Sequence, residues 1–131
     1  KAVYEVVLDC NKKCIEYAKA GMSWLELNNY AKKLLAEGCK KLGLIKEDQE
    51  LNKYYFHSIG HSLGLDVHDP NIASKGLLEG MVITIEPGLY IPEENIGIRI
   101  EDNIVITCDK AINLSKDIIK EVEDIENYMN K

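Results

Sequence analysis

Between Ala2 and Ala20, the residues Val3, Val6, Val7, Cys10, Cys14, Ile15 and Ala18 recur at the spacing of one helical face, and Gly21 is a natural stop. Ser23 then precedes a second apolar stripe of Leu27, Tyr30, Ala31, Leu34 and Leu35, with Glu26 completing a capping-box pattern. This second helix should end near Gly38 or Gly43, and the polar run Lys46 to Lys53 predicts a loop. The period then changes. Tyr54 to Leu65 is aromatic and punctuated by Gly60 and Gly64, which predicts strand or tight loop over helix. MVITIEPGLYI (81–91) and IGIRIEDNIVIT (96–107) are β-branched and aliphatic and predict two strands joined by a turn at PEEN. Ser115, with Asp117 near the first turn, predicts a last helix whose Ile118, Ile119, Val122, Ile125 and Met129 share a face. The order helix, helix, strands, helix predicts one α+β domain without internal repeats.

Composition narrows the functions open to such a domain. At 131 residues, 46% hydrophobic and 29% charged, the chain can bury a core of its own. A net charge of -6 with both signs interspersed leaves no basic stripe for phosphates, which argues against a nucleic-acid partner. No apolar run approaches the roughly 20 residues of a membrane span, and the N-terminus lacks a basic segment followed by an apolar one. A cytoplasmic protein with no membrane partner is expected. Cys10 and Cys14 are spaced as a poor disulfide or zinc pair, so these two, with Cys39 and Cys108, should be reduced and largely buried thiols. The chain opens on KAVYEVVLDC, without an initiator Met and already within a helical period, as a chain cut from a longer one would.

Two glutamates give the strands a possible chemistry. If IPEENI closes a four-residue loop, Ile91 pairs with Ile96, paired residue numbers sum to 187, and Glu86 faces Glu101. Opposed side chains on an antiparallel pair have Cβ atoms roughly 4.5–5.5 Å apart, where like charges destabilise the sheet unless a cation compensates. Ile98, Ile100, Ile104 and Ile106 fall on the core face, and Arg99, Glu101 and Asn103 on the other. Pro87-Gly88 is the place where a bulge would slip this register by one. Two glutamates on a solvated hairpin face are the ordinary alternative.

All three histidines lie in HSIGHSLGLDVHD (57–69). On an extended segment His57 and His61 share a face, whereas His68 reaches that site only if the chain turns at Gly64. Together with Glu86 and Glu101 this offers one to three nitrogen and two carboxylate donors, a set that suits manganese, cobalt, zinc or iron(II) better than a structural zinc cage.

FHSIGHSLGLDVHD, GMVITIEPGLY and GIRIEDNIVIT, in this order and spacing, resemble the last three signature blocks of the pita-bread metallopeptidases. That family includes aminopeptidase P, prolidase, methionine aminopeptidase and creatinase. The resemblance covers essentially all 131 residues and implies the second half of a pita-bread catalytic domain, with helices packed on a curved antiparallel sheet. It implies a dinuclear centre held by two aspartates, one histidine and two glutamates. On matching positions His61, Glu86 and Glu101 would be ligands, with Glu86 also the general base and Glu101 bridging the metals. His57 and His68 would be catalytic groups around the substrate, and Arg99 would support the carboxylates. Manganese is the expected metal, with cobalt or zinc as alternatives.

The histidine at 57 and the EPGLY and RIED wording resemble the proline-directed branch, aminopeptidase P before prolidase. The implied activity is hydrolysis of the bond between an N-terminal residue and proline by a metal-activated water, and the implied partners are peptides with proline second. Neither aspartate ligand has a match: Asp9 sits in a helix, and Asp66, Asp69 and Asp102 belong to the later blocks. The resemblance therefore implies a fragment lacking the N-terminal half, inactive alone, with bare apolar surface that should make it self-associate, as a homodimer, or need its other half. A non-catalytic peptide-binding domain and an oligomeric scaffold of the same fold are the competing readings.

Overall fold

A computed structural model describes residues 1–70 and 75–130. Helix α1 spans Ala2–Tyr17 and α2 spans Trp24–Lys41. They pack on one another, burying Val7, Leu8, Cys10 and Cys14 of α1 against Leu27, Ala31, Leu35 and Cys39 of α2. Gly38 lies at the crossing, where a Cβ would strike the Val6 side chain, so it belongs to the contact and does not end the helix. Gly43, just past the end with φ +73, takes the left-handed residue that closes many helices. Ser23 caps α2 by accepting the Glu26 amide at 3.0 Å. The Glu26 carboxylate does not return to Ser23 but accepts the Tyr17 hydroxyl at 2.9 Å, so half of the expected capping box forms and the other half ties α2 to α1. The segment expected as a loop at 46–53 contains a 3-10 turn, Asp48–Lys53, which buries Leu51.

Each predicted strand is split in two. Residues 81–91 give β1 (Val82–Ile85) and β2 (Gly88–Ile91), and 96–107 give β3 (Ile96–Arg99) and β4 (Asp102–Ile106). A short β5, Ala111–Asn113, pairs with β4. Ile91 pairs with Ile96 and Gly88 with Arg99 in one ladder, Ile85 with Asp102 and Val82 with Val105 in the other, so every pair sums to 187. No bulge slips the register. What Pro87 does instead is remove a donor, so the ladder opens over 86–87 and 100–101, with only the Ile100 amide reaching Pro87 O at 3.3 Å. Asn11 of α1, fully buried, enters this gap from below: its amide nitrogen donates to Ile85 O at 3.1 Å and Ile100 O at 3.4 Å.

The core lies between the helix pair and the faces carrying Ile83, Ile85, Leu89, Ile100, Ile104 and Ile106. Asp102 shares this inward face and is fully buried, where its Oδ1 meets Lys120 Nζ at 2.8 Å. That contact explains the largest departure from expectation. The last helix, α3, spans only Val122–Met129. Residues 115–121 are instead fastened to β4, Ser115 Oγ accepting the Asn103 amide and Lys120 bonding both Asp102 and Ser115 O. Its expected apolar face is not a core face: Ile118, Ile119 and Met129 are exposed.

Cys10, Cys14 and Cys39 are buried thiols, as expected, while Cys108 is exposed. The Cys10 and Cys14 sulfurs stand 3.9 Å apart, far beyond a bond, and burial pushes the Cys39 thiol up to about 11. No helix among the described residues is long and apolar enough to cross a membrane.

Removing the cation from a buried pair leaves the carboxylate uncompensated. Lys120→Ala is expected to lower unfolding free energy by about 3–5 kcal/mol in urea denaturation, with Asp102→Asn in the same background recovering part of the loss.

Candidate metal centre

Strand β1 is hydrogen-bonded along both edges. On the side away from β4 it takes the histidine segment: the Leu63 amide donates to Val82 O at 2.9 Å, the Thr84 amide to His61 O at 2.9 Å and the Glu86 amide to Ile59 O at 2.7 Å. Each of these pairs sums to 145, and the bridge between Ser62 and Ile83 obeys the same register. Gly60 is required for this approach, because a Cβ there would run into the carbonyl of Thr84. Asn28 of α2 anchors the start of the segment by accepting the Ile59 amide at 2.8 Å. The chain then folds back beyond Gly64, where the Asp69 amide donates to Ser62 O at 3.0 Å, and this brings the His68 ring to 4.2 Å from that of His61.

The result is an open cleft of about 620 Å³ lined by Phe56, all three histidines, Glu86, Tyr90 and Arg99. His61, Glu86 and Glu101 each place one ligand atom within 4.8 Å of the others. The two glutamates face one another over the ladder gap, as the register of the hairpin predicts. Among the described residues no other trio of His, Cys, Asp or Glu is gathered in this way. Asp9 pairs with Lys13 on the surface of α1, and Asp102 with Lys120, so neither joins the cluster.

Hydrogen bonding fixes what the cluster offers. His61 Nδ1 lies 3.0 Å from Ser62 O, and because a carbonyl only accepts, Nδ1 carries the proton. In the neutral ring, Nε2 then presents a lone pair to Glu86 Oε1 at 3.3 Å. Two acceptors at that distance need a positive charge between them, either a proton on Nε2 or a metal ion. Donors around one ion with bond lengths of about 2.0–2.2 Å stand roughly 3–4.5 Å apart, so atoms within 4.8 Å of one another need only a small contraction to hold a divalent cation. The orienting bond from Nδ1 to a carbonyl is the usual outer support of a metal-bound histidine.

Arg99, half exposed, sets its Nε 3.6 Å from Glu86 Oε2. The Tyr90 hydroxyl foremost, and then Glu86 and Glu101, hold its guanidinium pKa above the ordinary range. His57 is committed differently from His61: Nδ1 donates to Ser58 O at 2.8 Å and Nε2 accepts the Tyr90 hydroxyl at 2.9 Å. Tyr90, Thr84, Asn28 and Asn11 were not singled out by the sequence patterns. Tyr90 alternates with Glu86 on the cleft face, and Thr84 precedes Glu86 by two on the same face, so strand alternation was the signal available for both.

The sequence profile of metallopeptidase family M24 matches residues 1–108, and the chain belongs to this family. Its members are metallopeptidases and use divalent metal ions. A curated relative from Arabidopsis thaliana, "Intermediate cleaving peptidase 55, mitochondrial", is 39% identical over 98% of the chain and 28% of its own length. The Xaa-Pro aminopeptidase of Haemophilus influenzae is 39% identical over 99% of the chain and 35% of its own length. Among solved structures, one from Bacillus anthracis, provisionally named an aminopeptidase P, superposes with TM-score 0.95 at 58% identity, covering 98% of this chain and 31% of that one. The fold is accordingly the α+β pita-bread fold of the aminopeptidase P structures. The chain spans about a third of the length of the curated relatives it matches.

Gly60→Ala is expected to push residues 59–63 off β1 and disperse the cluster. The variant should lose Mn²⁺ binding by isothermal calorimetry while the helical circular dichroism of α1 and α2 persists.

Proposed function

We propose that this chain forms a portion of the catalytic domain of an Xaa-Pro aminopeptidase, with His61, Glu86 and Glu101 as metal ligands. Residues 1–131 would supply this side of the centre, and further carboxylates would complete a dinuclear site, since the described residues gather only three donors. The observation that carries the reading is the convergence of these three ligand atoms in one cleft with His57, His68 and Arg99. The names of the Haemophilus influenzae and Bacillus anthracis relatives favour the aminopeptidase over the prolidase alternative.

Divalent ions held there, manganese being our choice, would supply the Lewis acidity that lowers the pKa of water toward roughly 7. Glu86 takes the proton of the attacking water and passes it to the leaving proline nitrogen, a transfer for which its carboxylate is held on both oxygens. Arg99, with Nε 3.6 Å from Oε2, orients that carboxylate between transfers. The two histidines divide the remaining work. His57 Nε2 is occupied by the Tyr90 hydroxyl, whereas His68 makes no hydrogen bond to the protein among the described residues, so His68 is the group free to donate to a developing oxyanion. His57, Tyr90 and Phe56, their rings packed edge to face or tilted, form an apolar wall suited to a proline ring. The acidic cluster suits the ammonium of a free N-terminus.

The test is Mn²⁺-dependent cleavage of an Xaa-Pro tripeptide by residues 1–131 alone and by the same residues joined to the remainder of the Haemophilus influenzae relative. No turnover is expected from the first. The second should hydrolyse the Xaa-Pro bond, and Glu86→Gln should lower its kcat by about 10²–10⁴-fold with metal retained. Equal cleavage of Xaa-Pro and Xaa-Ala peptides, or full activity of residues 1–131 alone, would sink the proposal.

A further inference from the structure

Thr84 lies on β1 two residues before Glu86, and although it belongs to the cleft face it is only 1% exposed. Its hydroxyl makes two bonds. Oγ1 accepts the backbone amide of His61 at 3.0 Å and donates to Glu86 Oε1 at 3.1 Å. These roles are forced by valence: an amide can only donate, so the oxygen lone pair goes to His61 and the single hydrogen is left for the carboxylate. The main chain repeats the link, Thr84 donating its own amide to His61 O at 2.9 Å. One residue thus grips two of the three candidate ligands, His61, 23 residues from it in sequence, and Glu86, two residues from it.

The consequence is a division of the Glu86 carboxylate. Oε1 is held toward Nε2 of His61 at 3.3 Å, and Oε2 is left to Arg99 at 3.6 Å. Without the hydroxyl, the Glu86 side chain could rotate its carboxylate away from a ring whose lone pair repels it. We propose that Thr84 is a positioning residue that presets the His61–Glu86 pair for a cation before the cation arrives. The proposal rests on the reading of His61 and Glu86 as metal ligands given above. A purely structural role, in which Thr84 merely satisfies the His61 amide, predicts lost stability without a change at Glu86.

The experiment compares the wild-type chain with Thr84→Val, Thr84→Ser, Thr84→Ala and the core variant Ile104→Val. Mn²⁺ affinity is measured by calorimetry, thermal midpoint by circular dichroism, and the Glu86 side-chain carboxyl ¹³C shift by NMR in the metal-free protein. Thr84→Val should weaken Mn²⁺ binding by about 10–100-fold and move the Glu86 signal, the range typical when outer support of a ligand is lost. Thr84→Ser should restore both, and Ile104→Val should change only the midpoint. Wild-type affinity and an unmoved Glu86 signal in folded Thr84→Val would overturn the proposal, as would equal affinity loss in Ile104→Val. If Thr84→Val does not fold, Thr84→Ala is judged by the same criteria. A wild-type chain that binds no Mn²⁺ would overturn the ligand reading itself. The Glu86 signal then decides the positioning role alone: moved by loss of the hydroxyl and restored by serine supports it, unmoved overturns it.

Discussion

Glu86 and Glu101 stand opposite one another with the lone pair of His61 directed at the same space, and among the described residues Arg99 at the rim is the cation set against that accumulation of negative potential, beside the single hydrogen bond that Thr84 gives Glu86. Acceptors held this close repel by a few kcal/mol at the effective dielectric of a protein surface. A chain free to relax would splay them. The rest of the structure can be understood as what prevents it: β1 is bonded on both edges, the ladder gap is bridged from beneath by Asn11, and the helices bury the opposite face. Folding energy drawn from the core is spent on holding an arrangement that only a cation relaxes.

The order of forces explains why the gap falls where it does. Pro87 cannot donate, so a ladder continuous through 86–101 would leave a carbonyl unpaired on the partner strand. Asn11, with two amide hydrogens, satisfies a carbonyl on each strand while lying on a helix that is already docked by Val7, Cys10 and Cys14. The break leaves both carboxylates outside the ladder, on the cleft side, while the even-numbered residues of β4 stay in the core.

How much of this was legible varied with the range of the interactions. The two leading helices follow from periodicity because their stripes meet each other, and the register of the hairpin follows from a tight turn acting on neighbours in sequence. The gathering of His61 with the glutamates was legible as motif and spacing, although the register of the histidine segment against β1 was not, since nothing local fixes the sum of 145. The failures are long-range. Residues 115–121 carry helical periodicity but are pinned by Asp102, whose burial an alternation of isoleucines does not announce. Asn11 and Thr84 are single polar residues whose importance lies in partners 74 to 89 residues away for the first and in a neighbouring segment for the second.

The two registers on β1 bear on how such a chain can vary. One extra residue anywhere in 82–86 would have to disturb both edges at once, and would turn Thr84 and Glu86 inward while bringing isoleucines to the cleft. Length changes can therefore accumulate only where a strand has no second neighbour to keep in step: the turn at 92–95, where Asn95 already adopts a left-handed conformation, and the reversal at 107–110. Descendants of this sequence should differ in the length of those two turns long before they differ in the spacing from His61 to Glu86 along the sheet.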